Sequence, residues 1–415
     1  MMTTYGRGSE KIRIHTFLCR ALFVLAALAG LHGRAAAAQL PKVHYLGVAY
    51  AGLYDSIGQR FPFVAQIDHF DPAHQQPGEL TARSWPLLRK NPPTHYTLTN
   101  AAVAHLGDSD QIIDLVMLID RETVLQTTYQ VGGNSIYKVL AVVHAQALYF
   151  DVVQSAIERV LPFSSAQIST FDHPPTPAEV RHCVELALFG ADGKSGLLAQ
   201  FSRRVAASPY PAAATRSFRV VRVTVGPKAQ PLVVDGRGDG PAVKDLQEDV
   251  ADSFAEVFSA SQGVSFIPFA ADYVVGNRIA LSFSDGDHFN LVLPSADYDV
   301  ELDLLGAKKI VFGRSAAGQS LIYGTLMHVT LVEPLSGTRY LDGDFKNGVV
   351  VKVPATQEGD AQDDQFAYED SMRGLFAQLS SAIENQRTAW LSKATSAPDI
   401  DHQLQVSRAL FQSCR

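Results

Sequence analysis

Histidines are concentrated in the first half of this 415-residue chain, and several of them lie near carboxylates in the sequence. Imidazole and carboxylate groups bind zinc and can also act together in proton transfer. No His-Glu-x-x-His pattern fixes a geometry for them. Two interpretations therefore stay open: a metal or acid–base site, or histidines on ordinary folded surfaces. The residues concerned are His44, Asp68, His69, Asp71, His74, His95, His105, His144, His173, His182 and Glu185.

Four glycine-containing segments resemble ligand loops or calcium loops in part. Gly193-Lys194-Ser195 ends like a phosphate-binding loop, yet Leu188 stands where the first glycine is required. The segment 235–240 resembles a calcium loop, but Arg237 and Leu246 occupy ligand positions. The segments 285–288 and 342–344 are further Asp-Gly-Asp runs, and Asp and Gly favour turns through backbone geometry alone. We predict turns at these segments. We assign no catalytic, cofactor-binding or metal-binding residue from the sequence, and we expect that the protein is not an enzyme.

An export signal is the clearest feature of the amino terminus. Basic residues precede a short apolar run at 21–29, and the alanines at 35–38 form a typical peptidase site. The apolar run is too short to cross ~30 Å of hydrocarbon, which needs ~20 residues. We predict cleavage after residue 38 and a periplasmic location, with an extracellular one left open.

Removal of the signal makes the chain more acidic. The formal net charge of −7 becomes about −11, because five basic residues and one acidic residue are lost. Binding to nucleic acid depends on Lys and Arg neutralising phosphates, so this balance argues against it. No later segment is long and apolar enough to span a membrane. The sequence therefore predicts no nucleic-acid partner and no integral membrane segment after cleavage.

Two cysteines remain once Cys19 is removed with the signal. In an oxidising compartment, Cys183 and Cys414 form a candidate disulfide. Cys183 shares a helical stripe with Val180 and Val184, which instead favours a buried free thiol. Both interpretations stay open, together with a reactive thiol.

The sequence pattern indicates an internal duplication of one structural unit. A Gly-Gly-Asn-Ser segment at 132–135 enters a long apolar run, and Ala-Gly-Gln-Ser at 317–320 does the same 185 residues later. Strand-like segments precede each run, and each copy closes with an amphipathic helix. The pattern predicts an α+β fold of two tandem, duplicated units, each with a mixed or antiparallel sheet flanked by helices.

The predicted organisation has five parts. They are a signal peptide at 1–38, a first unit at 39–206 with an irregular Pro-rich insertion at 62–93, a linker at 207–216, a second unit at 217–390, and a carboxy-terminal tail or helix at 391–415. Residues 298–305 fit a half-buried strand better than a helix, since apolar and acidic residues alternate there. Residues 278–293 predict a hairpin around Ser-Asp-Gly-Asp.

The second unit resembles the small α/β domain of curli-secretion (CsgG-like) proteins and of the amino-terminal part of TolB. The residues that carry the resemblance are the Gly-Ala-Lys-Lys-Ile-Val-Phe-Gly segment at 306–313 and the strand that ends in Glu333-Pro334-Leu335-Ser336-Gly337. It covers residues 218–387. The resemblance implies an envelope assembly module that binds proteins, and it implies no catalysis.

These observations lead to one expected function and one rival. We expect a non-enzymatic envelope protein whose sheet edges and helix faces bind a protein partner, acting as a scaffold or assembly module. The rival is a periplasmic hydrolase or small-molecule-binding protein with a site in the first unit. That rival needs two or more of His69, His74, His95 and His105 to converge with carboxylates in a pocket. The sequence predicts neither the oligomeric state nor the identity of the partner.

Overall fold

The computed structural model describes most of the chain from residue 40 onward. The described ranges are 40–69, 78–100, 113–211, 216–229, 232, 241–269, 274–275, 277–355, 357–358, 361–385 and 389–415. Residues 42–415 form one compact unit. The expected export signal at 1–38 lies outside the described residues, as do His74, His105 and the segment 235–240.

Short helices and long strands make up the first half. In chain order these are β1 (Lys42–Ala51), a 3-10 turn (Tyr54–Ser56), α1 (Ile57–Arg60), α2 (Pro62–Ile67), α3 (Glu79–Lys90), β2 (Thr97–Asn100), β3 (Ile113–Val131), β4 (Asn134–Asp151), β5 (Ala156–Phe171), α4 (Pro177–Phe189) and α5 (Leu197–Ala207). The stretch 62–93, expected to be irregular, instead contains α2 and α3. Pro62 is the first residue of α2, where a missing N–H removes no helical hydrogen bond.

The second half contributes longer helices and a second set of long strands. These are β6 (Ser217–Lys228), α6 (Pro241–Gln262), β7 (Ser265–Ile267), β8 (Val274–Val275), β9 (Arg278–Phe283), β10 (His288–Val292), β11 (Tyr298–Ser315), β12 (Gly318–Glu333), β13 (Thr338–Pro354), β14 (Gln357–Glu358), α7 (Ala361–Asn385), α8 (Leu391–Ala394) and α9 (Ile400–Ser413). The carboxy-terminal segment is therefore helical. Leu404, Leu410 and Phe411 of α9 are buried in the core of the second half.

The first sheet closes on itself with help from the second half. Antiparallel pairings join β3 to β4 and β4 to β5, and β1 pairs in parallel with β3. The hairpin β9–β10 completes the circuit, since β9 pairs with β1 and Val292 of β10 pairs with Ala156 of β5. The hairpin expected at 278–293 is thus present, and it belongs to the sheet built by the first half.

Alternating residues of the first sheet supply two separate cores. Leu118, Leu148 and Phe150 lie inside the ring of strands with Leu281 and Leu291 of the hairpin. Side chains of the opposite parity pack against the helices of the first half, where α4 and α5 contribute Val184, Leu188 and Phe201. Period-two alternation places the two sets on opposite faces of each strand.

The second sheet has the order β13-β12-β11-β6-β7. One face packs against α6, α7 and α9 in a single apolar core that includes Phe218, Phe254, Met327 and Phe376. α6 ends as its sequence predicts, because Gly263 follows it with φ of +69°, a conformation that glycine adopts without strain.

Strand order and direction are the same in the two sheets. The first contains the order β2-β1-β3-β4-β5 and the second β7-β6-β11-β12-β13, and in each the central strand pairs in parallel on one side and antiparallel on the other. The α+β class with sheets flanked by helices is confirmed. Residues 298–305 are strand, as expected, and belong to β11.

Candidate functional site

The histidines of the first half do not gather around one described cavity. His69 is exposed and its Nε2 lies 2.8 Å from Glu79 Oε2, while His95 is exposed in the loop before β2. His182 pairs with Glu185 along the surface of α4, with 3.2 Å between Nδ1 and Oε2. In the described part of the chain no group of three or more His, Cys, Asp or Glu side chains could hold a metal ion.

The short glycine segments have backbone roles where they are described. Asp192 Oδ1 accepts hydrogen bonds from the backbone N–H groups of Lys194 and Ser195, which makes that segment a surface turn. Asp285 does the same for Asp287 in the turn between β9 and β10. The segment 342–344, expected as a turn, lies within β13, because its backbone pairs with residues 328–330 of β12.

Both cysteines of the described chain are buried free thiols. Cys183 lies in the core between the first sheet and its helices, whereas Cys414 follows α9 in the core of the second half. Burial raises the pKa of the Cys414 thiol, so at neutral pH it is mostly protonated and a poor nucleophile.

A cluster of charged residues joins the first sheet to α6 and α7. Its centre is Arg121 of β3, whose guanidinium contacts Asp249 and Asp252 at 2.7 Å each. The same guanidinium lies 3.3 Å from Nε2 of His144 on β4. We call this cluster the ionic junction; its members are Arg121, His144, Asp249, Asp252, Glu256, Glu369 and Arg373.

Glu256 forms the second contact of the ionic junction. Its carboxylate accepts hydrogen bonds from the backbone N–H and hydroxyl of Ser164 on β5, at 3.1 and 2.8 Å. Arg373 of α7 completes the set, with 2.7 Å between its guanidinium and Glu256 Oε1. One carboxylate on α6 therefore ties together the first sheet and α7.

Burial shifts the pKa values in the ionic junction. It raises the pKa of Glu369 to about 7 and also raises that of Asp252, while the positive charge of Arg121 acts in the opposite direction on both. Burial also lowers the pKa of His144 well below its usual value, and the positive charges of Arg121 and Arg373 add to that shift. His144 is therefore neutral at pH 7.

The ionic junction connects the first sheet to α6 and α6 to α7. Arg121 pairs with Asp252, and Ser164 donates a hydrogen bond to Glu256, so both contacts run from the first sheet to α6. Arg373 joins Glu256 within the second half. These ion pairs are partly exposed, with 20% of the Arg121 side chain and 38% of the Asp252 side chain accessible to solvent, so each contributes at most about 1 kcal/mol to stability. The junction fixes the position of α6 and α7, and these in turn support the second sheet.

Residues 306–332 and 345–354, here called the distal part of the second sheet, carry large exposed apolar side chains. Phe312 is 71% exposed and Val350 is 60% exposed. Ile310 and Val350 flank Ile322 on one face of the sheet, and Phe312 is the extra residue of a β-bulge between β11 and β12. We call Ile310, Val311, Phe312 and Val350 the apolar ribbon.

β13 is an edge strand of the second sheet. One side pairs with β12 along its whole length. On the other side, the described residues supply one bridge, between Phe345 and Thr395. The stretch from Lys346 to Pro354 is rich in valine and presents its second edge without a described strand partner.

Charge is segregated on this distal part. Residues 306–332 and 345–354 contain five lysines and arginines and no aspartate or glutamate, although the whole chain has a net charge of −7. This surface was not singled out from sequence. The signal that could have found it is the long acid-free stretch within an acidic chain.

No helix among the described residues is both long enough and apolar enough to cross a membrane. No family model matches the chain, and no curated protein matches it. Several solved structures resemble part of it. A protein of the DUF330 family from Xanthomonas campestris is 14% identical, covers 42% of this chain and 88% of its own, and gives a TM-score of 0.22.

Two further solved structures resemble a similar share of the chain. A minor lipoprotein from Acinetobacter baumannii is 9% identical, covers 41% of this chain and 92% of its own, with a TM-score of 0.22. A homolog of neuraminyllactose-binding hemagglutinin from Helicobacter pylori is 13% identical, covers 47% and 91%, with a TM-score of 0.24. None of the three is a CsgG-like or TolB protein. At these values the likeness carries no argument about function.

Proposed function

We propose that the chain is an exported, non-enzymatic protein of the cell envelope that binds a partner protein along β13. The observation that carries the proposal is the exposed, valine-rich edge of this strand beside the apolar ribbon. Folded proteins usually cover or charge such an edge, because its free N–H and C=O groups pair with other chains. An extended segment of a partner can add to it as a further strand.

The charges around β13 indicate the chemistry of that segment. Lys346 and Lys352 stand on the strand, and no carboxylate occurs between residues 345 and 354. Opposite charges across a strand pair stabilise it, whereas like charges destabilise it. The partner segment is therefore extended, apolar on one face and acidic on the other.

A second copy of this chain would pair poorly with the free edge of β13. A symmetric antiparallel pair of β13 strands centred on Val349 would place Lys346 of each copy opposite Lys352 of the other. That arrangement brings four lysines together without a carboxylate to neutralise them. The edge favours a different protein.

Two further expectations from sequence belong to this proposal. The common strand order of the two sheets supports a tandem duplication of one α+β unit, with the boundary at 207–216. Under that proposal the second copy carries the binding edge, as the resemblance to envelope assembly modules implies. The rival, a hydrolase built on the first-half histidines, gains no support from the exposed positions of His69 and His95.

Site-specific crosslinking followed by charge reversal tests the proposal. A photocrosslinking residue in place of Val350 is expected to capture one discrete envelope protein, and the same residue in place of the fully exposed Leu335 is expected to capture none. The captured protein is then purified and its affinity measured. Val350→Glu and Lys352→Glu should each weaken binding at least tenfold.

The matched control is Lys42→Glu, an exposed charge reversal at the start of β1. It should leave the affinity unchanged. Equal capture at positions 350 and 335 would contradict the proposal. So would equal affinity of all three charge variants, or a captured protein that proves to be a second copy of this chain.

A further inference from the structure

A cleft lies on the second sheet next to the apolar ribbon. Its volume is about 720 Å³, within the range of small-molecule sites. The lining residues come from β6, β11, β12 and β13 and from the segment 390–394. Neighbouring strands lie about 4.8 Å apart, so a cleft that crosses four of them is about 14 Å long or more.

Three glycines form part of the lining where the strands cross the cleft. Gly324 of β12 pairs directly with Gly348 of β13, and Gly306 lies beside a register shift in β11. Along β12 the buried Tyr323 and Met327 alternate with Ile322, Gly324 and Leu326, and the latter set lines the cleft. The absence of side chains at the glycines is what leaves the space open.

Gly324 is not required by the backbone or by its neighbours. It does not have a positive φ, and an added Cβ would lie 3.6 Å from Asn347 O and 3.8 Å from Lys308 O, which is ordinary contact. Glycine inside a strand weakens the strand, and it is typical of places where a ligand or another backbone comes close. A glycine that is costly and sterically unnecessary indicates that the space above it is used.

Four lysines surround an otherwise apolar cleft. Lys228, Lys308, Lys346 and Lys393 all line it, and no carboxylate does. In the described part of the chain none of the four makes an ion pair, in contrast to nearby Lys309, which binds Asp364 at 2.7 Å. Four unneutralised positive charges around apolar walls complement a ligand with an apolar body and a negative head.

Trp390 supplies an aromatic wall of the cleft. Its ring stacks on Phe345, with 6.4 Å between centroids, and it also lines the cleft. Its Nε1 is buried, so this N–H is not accessible from the cleft and the ring contributes apolar surface.

We propose that this cleft, here named the lysine cleft, binds a single-chain amphiphile with an anionic head, such as a fatty carboxylate. The alkyl chain lies along the glycine-lined part between Ile322 and Leu326. The anionic head accepts hydrogen bonds from the lysines. This inference does not depend on the partner proposed for β13.

Calorimetric titration of the delipidated full chain with dodecanoate, below its micelle concentration, tests the assignment. We expect saturable binding with one ligand per chain. Dodecan-1-ol has the chain without the charge and should bind at least tenfold more weakly. Acetate has the charge without the chain and should not bind measurably. No binding of dodecanoate, or equal binding of dodecan-1-ol or dodecyltrimethylammonium, would overturn the proposal.

A filled cleft provides the sharpest variant. Gly324→Val should reduce the affinity for dodecanoate at least tenfold while leaving the melting temperature equal or higher, because valine suits a strand better than glycine. The matched control is Gly313→Val, another strand glycine with no atom within 4 Å of an added Cβ and outside the cleft. It should leave binding unchanged. Equal affinity of both variants would refute the site.

Charge removal tests the same site without filling it. The double variant Lys308→Gln, Lys346→Gln should lose at least tenfold in dodecanoate affinity but little in dodecan-1-ol affinity. The control variant Lys42→Gln, Lys352→Gln removes the same charge outside the cleft and should change neither affinity.

Two variants separate this proposal from the one for β13. Gly324→Val should still bind the protein partner of β13, and Val350→Glu should still bind dodecanoate. Failure of either proposal is thereby distinguishable from failure of the other.

Discussion

Glu369 shows how burial controls a single residue of the ionic junction. Its pKa rises to about 7 because the carboxyl is buried, and the charge of Asp249 adds to the shift. Gln365 donates a 2.9 Å hydrogen bond to it and offsets only part of this. A carboxyl whose folded-state pKa is raised contributes stability below its unfolded pKa, and that stability is lost as pH rises through the folded pKa.

Glu369→Gln should therefore flatten the pH dependence of unfolding. The wild-type chain is expected to lose stability between about pH 4.5 and pH 7.5, because Glu369 ionises in the unfolded chain while it stays protonated in the folded one. The variant cannot ionise there, and it should lose on the order of 2 kcal/mol less between pH 5 and pH 8. Urea unfolding at the two pH values measures the difference.

Asp370→Asn is the control for this experiment, since Asp370 is the exposed neighbour of Glu369 on α7. Its pH profile should parallel the wild type. Burial also raises the pKa of Asp114 to about 7 and that of Asp68 to about 6. These two groups make the free energy of unfolding fall with rising pH in every variant. Parallel profiles for Glu369→Gln and the wild type would contradict the assignment.

The ionic junction could not be predicted from the residues that form it. Asp249 and Asp252 lie in α6 between Leu246, Val250 and Phe254, which mark the apolar face. Acidic residues off an apolar stripe usually face solvent, and a sequence gives no reason to expect otherwise. Arg121 is more than a hundred residues away, so only the folded chain brings these charges together.

At the scale of elements, helix and strand positions were largely predictable while their partners were not. The amphipathic pattern at the end of each copy located α4 and α7. Alternation of apolar and acidic residues at 298–305 correctly indicated a strand. The Ser-Asp-Gly-Asp turn indicated the β9–β10 hairpin, but local turn chemistry cannot reveal that its strands pair with β1 and β5 more than a hundred residues earlier.

The start of α4 offers a test at this scale. Thr176 caps the helix, its hydroxyl accepting from Glu179 N at 3.3 Å, while the Glu179 carboxylate accepts from Thr176 N at 2.8 Å. Thr176→Ala removes one half of this reciprocal cap and should lower the free energy of unfolding by about 1 kcal/mol. Chemical denaturation measures the loss.

The control for the cap is Thr94→Ala, at an exposed threonine in the loop before β2. It should change stability by only a few tenths of a kcal/mol. An equal loss in both variants would show that the cap contributes nothing specific.

At the scale of the whole molecule, the two halves are joined by more than a connecting segment. The β9–β10 hairpin completes the first sheet, and the ionic junction ties α6 and α7 to β3, β4 and β5. A duplication of two units would by itself suggest independent domains. These shared elements instead favour one cooperative structure across residues 42–415.

The two tryptophans allow this to be measured, because Trp85 lies in α3 and Trp390 lies just before α8. Trp390→Phe leaves a reporter in the first half, and Trp85→Phe leaves one in the second. Unfolding of each variant in urea is followed by tryptophan fluorescence and by circular dichroism, which reports the backbone. In each variant the midpoint of the fluorescence transition should equal the midpoint by circular dichroism. Separate transitions for the two reporters would show that the halves unfold independently.

The position of the hairpin in the chain also governs the order in which the protein can form. A polypeptide emerges amino terminus first, and its early segments begin to fold before the later ones appear. The strands at 42–171 emerge long before residues 278–292, so for that interval the first ring of strands stays open and Leu118, Leu148 and Phe150 lack their covering partners. Until the hairpin emerges, we expect the apolar residues of this unfinished sheet to be exposed to contact with other chains.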